Sequence, residues 1–332
     1  MIDRFRRTSL LLAACILGTS CTERPTTPAP TGSPGSGDAK PGAAATPEEL
    51  DDRLQKANPS YPGGGGQYLF EEGEVVAVSL AQTNIWNIAP LAGLPIRRLD
   101  LTATGVRKLD VVRGMPLEEL RIAGTGVWDL APLAGMPLRI LDALQSQVRD
   151  LAALRDLPLE ELYLDETFVS DLSPLQGMAL QKLYLNNTKV SSIEVLRNMP
   201  LVEVNLFGIP VSDISPLQGA PLRMLWLNKT PVSDISPLQD APLVSLTLHR
   251  TKVSDLRPLA GSHLQRLHIG ETSVTDLTPI LDLPLTRLIF SPAKITRGLA
   301  EVKTMPGLRE VGETLERRMP PAAFWAQLGE KK

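Results

Sequence analysis

The chain has 332 residues, of which 43% are apolar and 21% charged, and its formal net charge is −3. That length and apolar content can bury a large core, while so small a net charge, with no run of lysine and arginine, gives no nucleic-acid footprint. Both cysteines, Cys15 and Cys21, lie near the N-terminus, which excludes a disulfide or a cysteine–metal site from the body of the chain.

The first elements are processing signals. Arg4, Arg6 and Arg7 form a basic stretch, and Ser9 to Gly18 is an apolar run too short to span a bilayer, which takes roughly 20 residues. This arrangement resembles a bacterial lipoprotein signal, in which the cysteine after the cleavage site carries the lipid. Gly18-Thr19-Ser20-Cys21 follows a full apolar run and precedes a polar stretch, so Cys21 is read as the lipidated residue. Leu12-Ala13-Ala14-Cys15 matches the lipobox better but cramps the apolar run, leaving Cys15 as the alternative; an ordinary secretory signal with incidental cysteines is the plainer reading. The expected layout is a signal peptide over 1–20 and a disordered Pro/Thr/Gly/Ser tether over 21–45. An N-terminal cap over 46–73, repeats over 74–304 and a C-terminal cap over 305–332 complete it. The resemblance implies a lipid-anchored protein of the bacterial cell envelope, at the outer membrane or the periplasmic face, touching membrane only through its N-terminal lipid.

Thr46-Pro47-Glu48-Glu49 predicts a helix opened by a capping box, with Leu50 and Leu54 on one face and a stop near Asn58-Pro59. Gly63 to Gly66 is a run of four glycines with no Lys-Ser/Thr after it, so it reads as a turn rather than a phosphate loop. Tyr68, Leu69 and Phe70 are placed to cover the first repeat.

From residue 74 the chain repeats one 21-residue phrase, clearest as PLEELYLDETFVSDLSPLQGM at Pro158 to Met178, with copies beginning at 74, 95, 116, 137, 158, 179, 200, 221, 242 and 263 and a degraded one at Pro284. A fixed period in the twenties with the skeleton L-x-x-L-x-L-x-x-T-x-V is the signature of a leucine-rich repeat solenoid. Each copy supplies too few apolar side chains for a core of its own, but stacked copies share one. The x-L-x-L-x segment alternates as a half-buried strand should, so about eleven parallel rungs at about 4.8 Å predict a concave sheet roughly 50 Å long. Ser173-Pro174-Leu175 predicts a short helical or 3-10 turn on the convex side, with serine as N-cap and proline first in the helix. Asp171 and its equivalents, two residues earlier, can close that turn onto backbone N–H groups. A threonine column (Thr83, Thr104, Thr125, Thr167, Thr188, Thr230, Thr251, Thr272, with Ser146) offers hydroxyls to the turn backbone of its own or the next copy, and Ile209 and Ala293 interrupt it. Leu308 to Val311 reads as a last half-strand, and Phe324 and Trp325 in a short helix over Pro320 to Leu328 can plug the final rung. The fold class is therefore an α/β repeat solenoid, capped at both ends.

The V-S-D-L-S-P-L-x-G-M phrase resembles the internalin-like class of bacterial leucine-rich repeats. With ANPSYPGGGG, ITRGLAEVKTMPGLREVG and PPAAFW at the ends, residues 46 to 328 are similar to repeat modules attached to bacterial serine/threonine kinases, especially of planctomycete type. The kinase phrases themselves (V-A-I-K, H-R-D, D-F-G) are missing. The resemblance implies a protein-interaction surface without catalysis and carries over no functional residues.

No residue breaks the repeat columns in the manner of a catalytic group, so no enzyme, metal or cofactor is expected. His249 and His268 stand in neighbouring copies without a carboxylate in ligand position. The middle residue of L-x-L is expected to be exposed down the concave sheet, and there the candidates for contact gather: Tyr163, Tyr184, Asn205, Trp226 and His268, with Phe207 and His249 two residues later in their copies. Tyrosine and tryptophan dominate interface hot spots, and aromatics make up only 4% of the chain. Asp100, Glu119, Asp142, Glu161, Asp165 and Glu166 make the earlier half of this face acidic, and Lys229, Arg250, Arg266 and Arg287 make the later half basic, a polarity that would orient a partner. The expected partner is a protein or peptide bound by a monomer. A carbohydrate ligand, or a spacer without a ligand whose aromatics only pack across rungs, are the alternatives.

Overall fold

The computed structural model describes residues 46–330; the expected signal peptide and tether, with Cys15 and Cys21, lie outside the described residues. Helix α1 (Pro47–Ala57) opens as its sequence predicts. The Thr46 hydroxyl accepts the Glu49 N–H at 3.2 Å, and the Glu49 carboxylate accepts the Thr46 N–H at 3.3 Å, which satisfies two donors the helix itself leaves free. Leu50 and Leu54 are buried. The helix is fastened to the first repeat by Asn58, fully buried, whose amide donates to the Leu54 and Asn87 carbonyls while its oxygen accepts the N–H groups of Trp86 and Asn87, all within 2.8–3.0 Å. The glycine loop closes on a side chain, Gly65 and Gly66 each donating to the Tyr61 hydroxyl at 2.8 Å.

A single 14-stranded sheet follows in sequence order. Strand β1 (Gln67–Glu71) pairs antiparallel with β2 (Glu74–Ser79), and three-residue strands from β3 (Arg98–Asp100) to β12 (Arg287–Ile289) then run parallel. Each rung faces the next 21 residues on, Leu162 against Leu183 for example. The segment expected as a half-strand is a full further rung, β13 (Glu310–Gly312), with Val311 opposite Leu288; the step is longer because α2 (Leu299–Val302) intervenes. Strand β14 (Arg318–Met319) ends the sheet antiparallel. Each end of the parallel stack thus carries one antiparallel strand, so the sheet's edge strands are β1 and the two-residue β14. Helix α3 (Pro321–Glu330) then covers the last rung, placing the rings of Phe324 and Trp325 6.1 and 6.3 Å from that of Phe290. One apolar core runs unbroken from Leu50 to Phe324.

Each strand from β2 to β11 exits through a left-handed residue, such as Asn187 at φ 55°. Such a backbone costs an L-residue roughly 1–2 kcal/mol, and the threonine after it holds it in place. The N–H and hydroxyl of Thr188 both donate to the Leu185 carbonyl, at 3.2 and 2.8 Å. Seven other threonines of the column make the same hydroxyl bond within their own copy. At Ile209 an apolar side chain fills the slot and is buried.

On the convex side each copy makes one 3-10 turn, from Ala89–Leu91 to Thr278–Ile280. Ser173 is not the N-cap expected of it: it is the first residue of its turn, Pro174 the second, and Leu172 before it makes no side-chain bond. A three-residue turn has too few free N–H groups for a capping serine to reach. Asp171 does that work, accepting the Ser173 N–H and hydroxyl at 2.8 Å each, and Asp213 and Asp234 repeat the device. Those bonds hold the carboxyls of Asp171 and Asp213 below the usual carboxylate range.

A second backbone ladder joins the rungs along one flank. The N–H of Gly105, Gly126, Gln147, Phe168 and Lys189 each donates to the carbonyl of Ile85, Val106, Val127, Val148 and Val169 in the preceding copy, at 2.8–3.1 Å. Pro210 and Pro231 have no N–H to give, and the ladder resumes at Lys252.

Candidate interaction surface

The middle position of L-x-L is less open than the alternation predicts. Ser79, Asp100 and His268 are buried, Ile289 has no exposed surface, and the positions from Arg121 to Thr247 are half-buried. In-register stacking makes each of these side chains cover its neighbours, and the caps cover both ends. The accessible part of the concave face is therefore its middle.

There the structure brings three of the aromatic candidates into one stripe. Tyr163 ends β6 (Glu161–Tyr163), Tyr184 ends β7 (Lys182–Tyr184) and Trp226 ends β9 (Met224–Trp226). Ring centroids lie 4.9 Å apart from Tyr163 to Tyr184 and 5.9 Å from Tyr184 to Trp226, the second contact passing over the shorter Asn205. The stripe is propped by carboxylates: the Tyr163 hydroxyl donates to Glu161 at 2.6 Å and the Tyr184 hydroxyl to Glu203 at 3.1 Å. Burial, with those carboxylates beside them, pushes both phenols up and keeps them neutral. Asn205 turns its oxygen to the Phe207 N–H at 3.2 Å. Phe207 itself lies outside the stripe, with the Lys229 ammonium 5.0 Å from its ring centre.

In the half expected to be acidic, Asp100 and Asp165 are buried and Glu119 pairs with Arg121 at 2.7 Å. Burial pushes Asp142 up, and it pushes Asp165 to about 7, the charges of Asp142 and Glu166 adding to a burial effect that the Asn186 N–H opposes. Glu161 goes the other way: the Tyr163 hydroxyl and the Lys182 ammonium, 2.9 Å away, outweigh its burial. The later half is less basic than its sequence suggests, because two of its four cations are engaged. Arg250 pairs with Glu271 at 2.8 Å, and Arg287 pairs with Glu310.

His249 and His268 form a stacked pair, ring centroids 4.8 Å apart. His249 holds its Nδ1 3.0 Å from the Gly270 carbonyl. His268, expected to reach a partner, is only 6% exposed and is withdrawn from the surface. The chain after β13 folds back over it at Gly270, where a Cβ would stand 3.2 Å from the Glu313 carbonyl and 3.1 Å from His268 Nε2, so a side chain there would press on both. Burial, and the neighbouring His249 charge, bring the His268 pKa down to about 4. Among the described residues neither of its ring nitrogens has a hydrogen-bond partner, and no group of three histidine, cysteine or acidic side chains could hold a metal ion.

Nor do the aromatics gather only on the concave face. The large apolar side chains most open to solvent are Trp86, Trp128 and Phe168, at 57%, 63% and 38% exposure, and they stand along the hydrogen-bonded flank. A signal for them was present. The thirteenth position of successive copies reads Trp86, Arg107, Trp128, Arg149, then Ser170, Ser191, Ser212, Ser233 and Ser254, then Thr275 and Thr296, so the first four copies depart from the small hydroxyl residues of the rest.

Among the solved structures similar to this fold are two bacterial proteins. An internalin of Listeria monocytogenes superposes with a TM-score of 0.62 at 20% sequence identity, covering 79% of this chain and 86% of that one. A leucine-rich repeat protein of Leptospira interrogans superposes with a TM-score of 0.55 at 17% identity, covering 71% of each chain. The chain has the leucine-rich repeat fold of these bacterial proteins. No family model matches the sequence, and a search of curated proteins finds no match.

Proposed function

We propose that this chain is a non-catalytic recognition module that binds a protein or peptide segment on its concave sheet. The observation that carries the reading is the Tyr163–Tyr184–Trp226 stripe, half-buried and held in position by Glu161 and Glu203. Rings fixed before binding lose little freedom on contact, and half-buried tyrosine and tryptophan supply the area on which interface energy concentrates. The carboxylates around the stripe favour a partner with basic side chains.

The test is capture from envelope extract by the full chain, read by mass spectrometry beside a variant carrying Tyr184→Ala and Trp226→Ala. A partner lost from the variant alone, with the circular dichroism spectrum unchanged, supports the reading; identical captured sets turn it into a spacer. The proposal includes an address. Cys21 carries the lipid and holds the module at the bacterial envelope, so Cys21→Ser moves the protein from the membrane to the soluble fraction. If Cys15→Ser does so instead, the anchor is Cys15.

A further inference from the structure

The flank carries an array that the concave reading does not use. Trp86, Arg107, Trp128 and Arg149 occupy one register position on four successive rungs, and each leans onto the next copy. Trp86 lies against Gly105, where an added Cβ would come 3.1 Å from its own Cβ, and Arg107 crosses Gly126, where a Cβ would come within 2.8 Å of its Cγ. The missing side chain at Gly126 is what lets the Arg107 side chain lie across the next copy. Arg149 ends the row with its guanidinium 4.7 Å from the centre of the Phe168 ring, and Lys189 approaches the same ring at 5.8 Å.

Between these ridges are two open grooves, one bounded by Trp86 and Arg107 and the other by Trp128 and Arg149. Neither arginine has an ion pair among those found in the described residues, and Lys108 and Lys189 add positive charge beside them. Of the nearby acids, Asp110 lines the first groove together with Arg107 and Lys108, while Asp129 and Asp150 are turned to the N–H groups of Ala131 and Ala152, at 2.8 Å each. Desolvated by a ligand, the arginines would need anions.

Spacing selects the ligand's conformation. The backbone ladder through Gly105, Gly126 and Gln147 fixes the rungs at hydrogen-bonding distance, about 4.8 Å apart, which sets equivalent points of the two grooves about 9.6 Å apart. A β-strand repeats its face about every 6.8 Å and matches neither one rung nor two. A polyproline II helix repeats every third residue, about 9.3 Å, which matches two rungs, and aromatic-lined grooves are how such helices are bound elsewhere. We propose that the Trp86–Arg107–Trp128–Arg149 flank is a second docking surface, which takes an acidic, proline-repeating segment of a partner protein in the polyproline II conformation. Every third residue, proline, seats in the grooves, and the acidic ridge beside it meets Arg107 and Arg149.

The experiment titrates the full chain with a fluorescent peptide of four Pro-Ala-Glu repeats, at low and at high salt. Trp86→Ser with Trp128→Ser tests the grooves without endangering the fold, because serine stands at this position in the five copies that follow. The pair of changes should weaken binding at least about tenfold, the size expected of tryptophan anchors. Arg107→Glu with Arg149→Glu should weaken it as much and flatten its salt dependence, and Tyr184→Ala with Trp226→Ala should leave it unchanged. Replacing the prolines by glycine should also weaken binding, since the free chain is then no longer pre-formed. Absence of peptide binding, or binding indifferent to the two tryptophans, overturns the proposal. So does uptake of polygalacturonate but not of the peptide, which would make the flank a glycan surface.

Discussion

The concave stripe and the tryptophan–arginine flank draw on the same residue types and rest on the same backbone stack, yet they are held differently. Tyr163, Tyr184 and Trp226 touch one another, and the two tyrosines are tied to carboxylates. Trp86 and Trp128 stand more than half exposed, separated by an arginine. Packing thus pre-organises the first surface, whereas the second must lose side-chain freedom when it binds, roughly 0.5–1.5 kcal/mol for each ordered side chain. The flank is accordingly the weaker site for a short ligand and gains most from a repeating one, whose second contact is made at high effective concentration.

The largest effect that would separate the two regions is expected at Asn58. It accepts the N–H groups of Trp86 and Asn87 and donates to the Asn87 carbonyl, and Asn58→Ala leaves these part-buried groups unpaired. The cost should be about 3 kcal/mol or more in urea unfolding. Hydrogen exchange should show lost protection at 86–91 and none at 183–206; equal loss in both would mean that the stack opens only as a whole.

Next in size is a pH response of opposite sign within the concave face. The folded pKa of Asp165, about 7, lies above its ordinary 3.8. Between those values the folded chain therefore holds the extra proton, and this group's contribution to stability falls as pH rises, levelling off above about 7. His268 titrates the other way. Its folded pKa of about 4 lies below its ordinary 6.5, so its contribution is complete above 6.5 and is lost as pH falls towards 4. Asp165→Asn should flatten the loss on the alkaline side of the urea midpoint profile, and His268→Phe the loss on the acid side. If both variants keep the parent profile, other groups set it.

The smallest effect is local to one rung. Thr188→Val removes the hydroxyl bond to the Leu185 carbonyl and should cost about 1 kcal/mol, without altering capture at Tyr184 one turn away. A cost near zero would mean that the Thr188 N–H holds the left-handed Asn187 unaided.

Much of this was legible in the chain because a repeat writes its physics many times. The 21-residue period, the apolar columns and the T-x-V turn each recur, so a burial pattern ambiguous in one copy is settled by the others, and the Thr46–Glu49 capping box is a purely local signal. Surfaces are harder, because exposure depends on what lies in the neighbouring rungs and caps. His268 sits in the same column as Tyr184, and only the chain folding back at Gly270 decides that one is covered and the other half-open. Arg250 and Arg287 read as free cations until Glu271 and Glu310, in other copies, are found beside them. Periodic local chemistry determined the solenoid, its rungs and its caps. The solvent accessibility of each column, the charge left unpaired and the second line of aromatics arise between copies, through contacts 21 residues apart or more, and so were decided only in the folded stack.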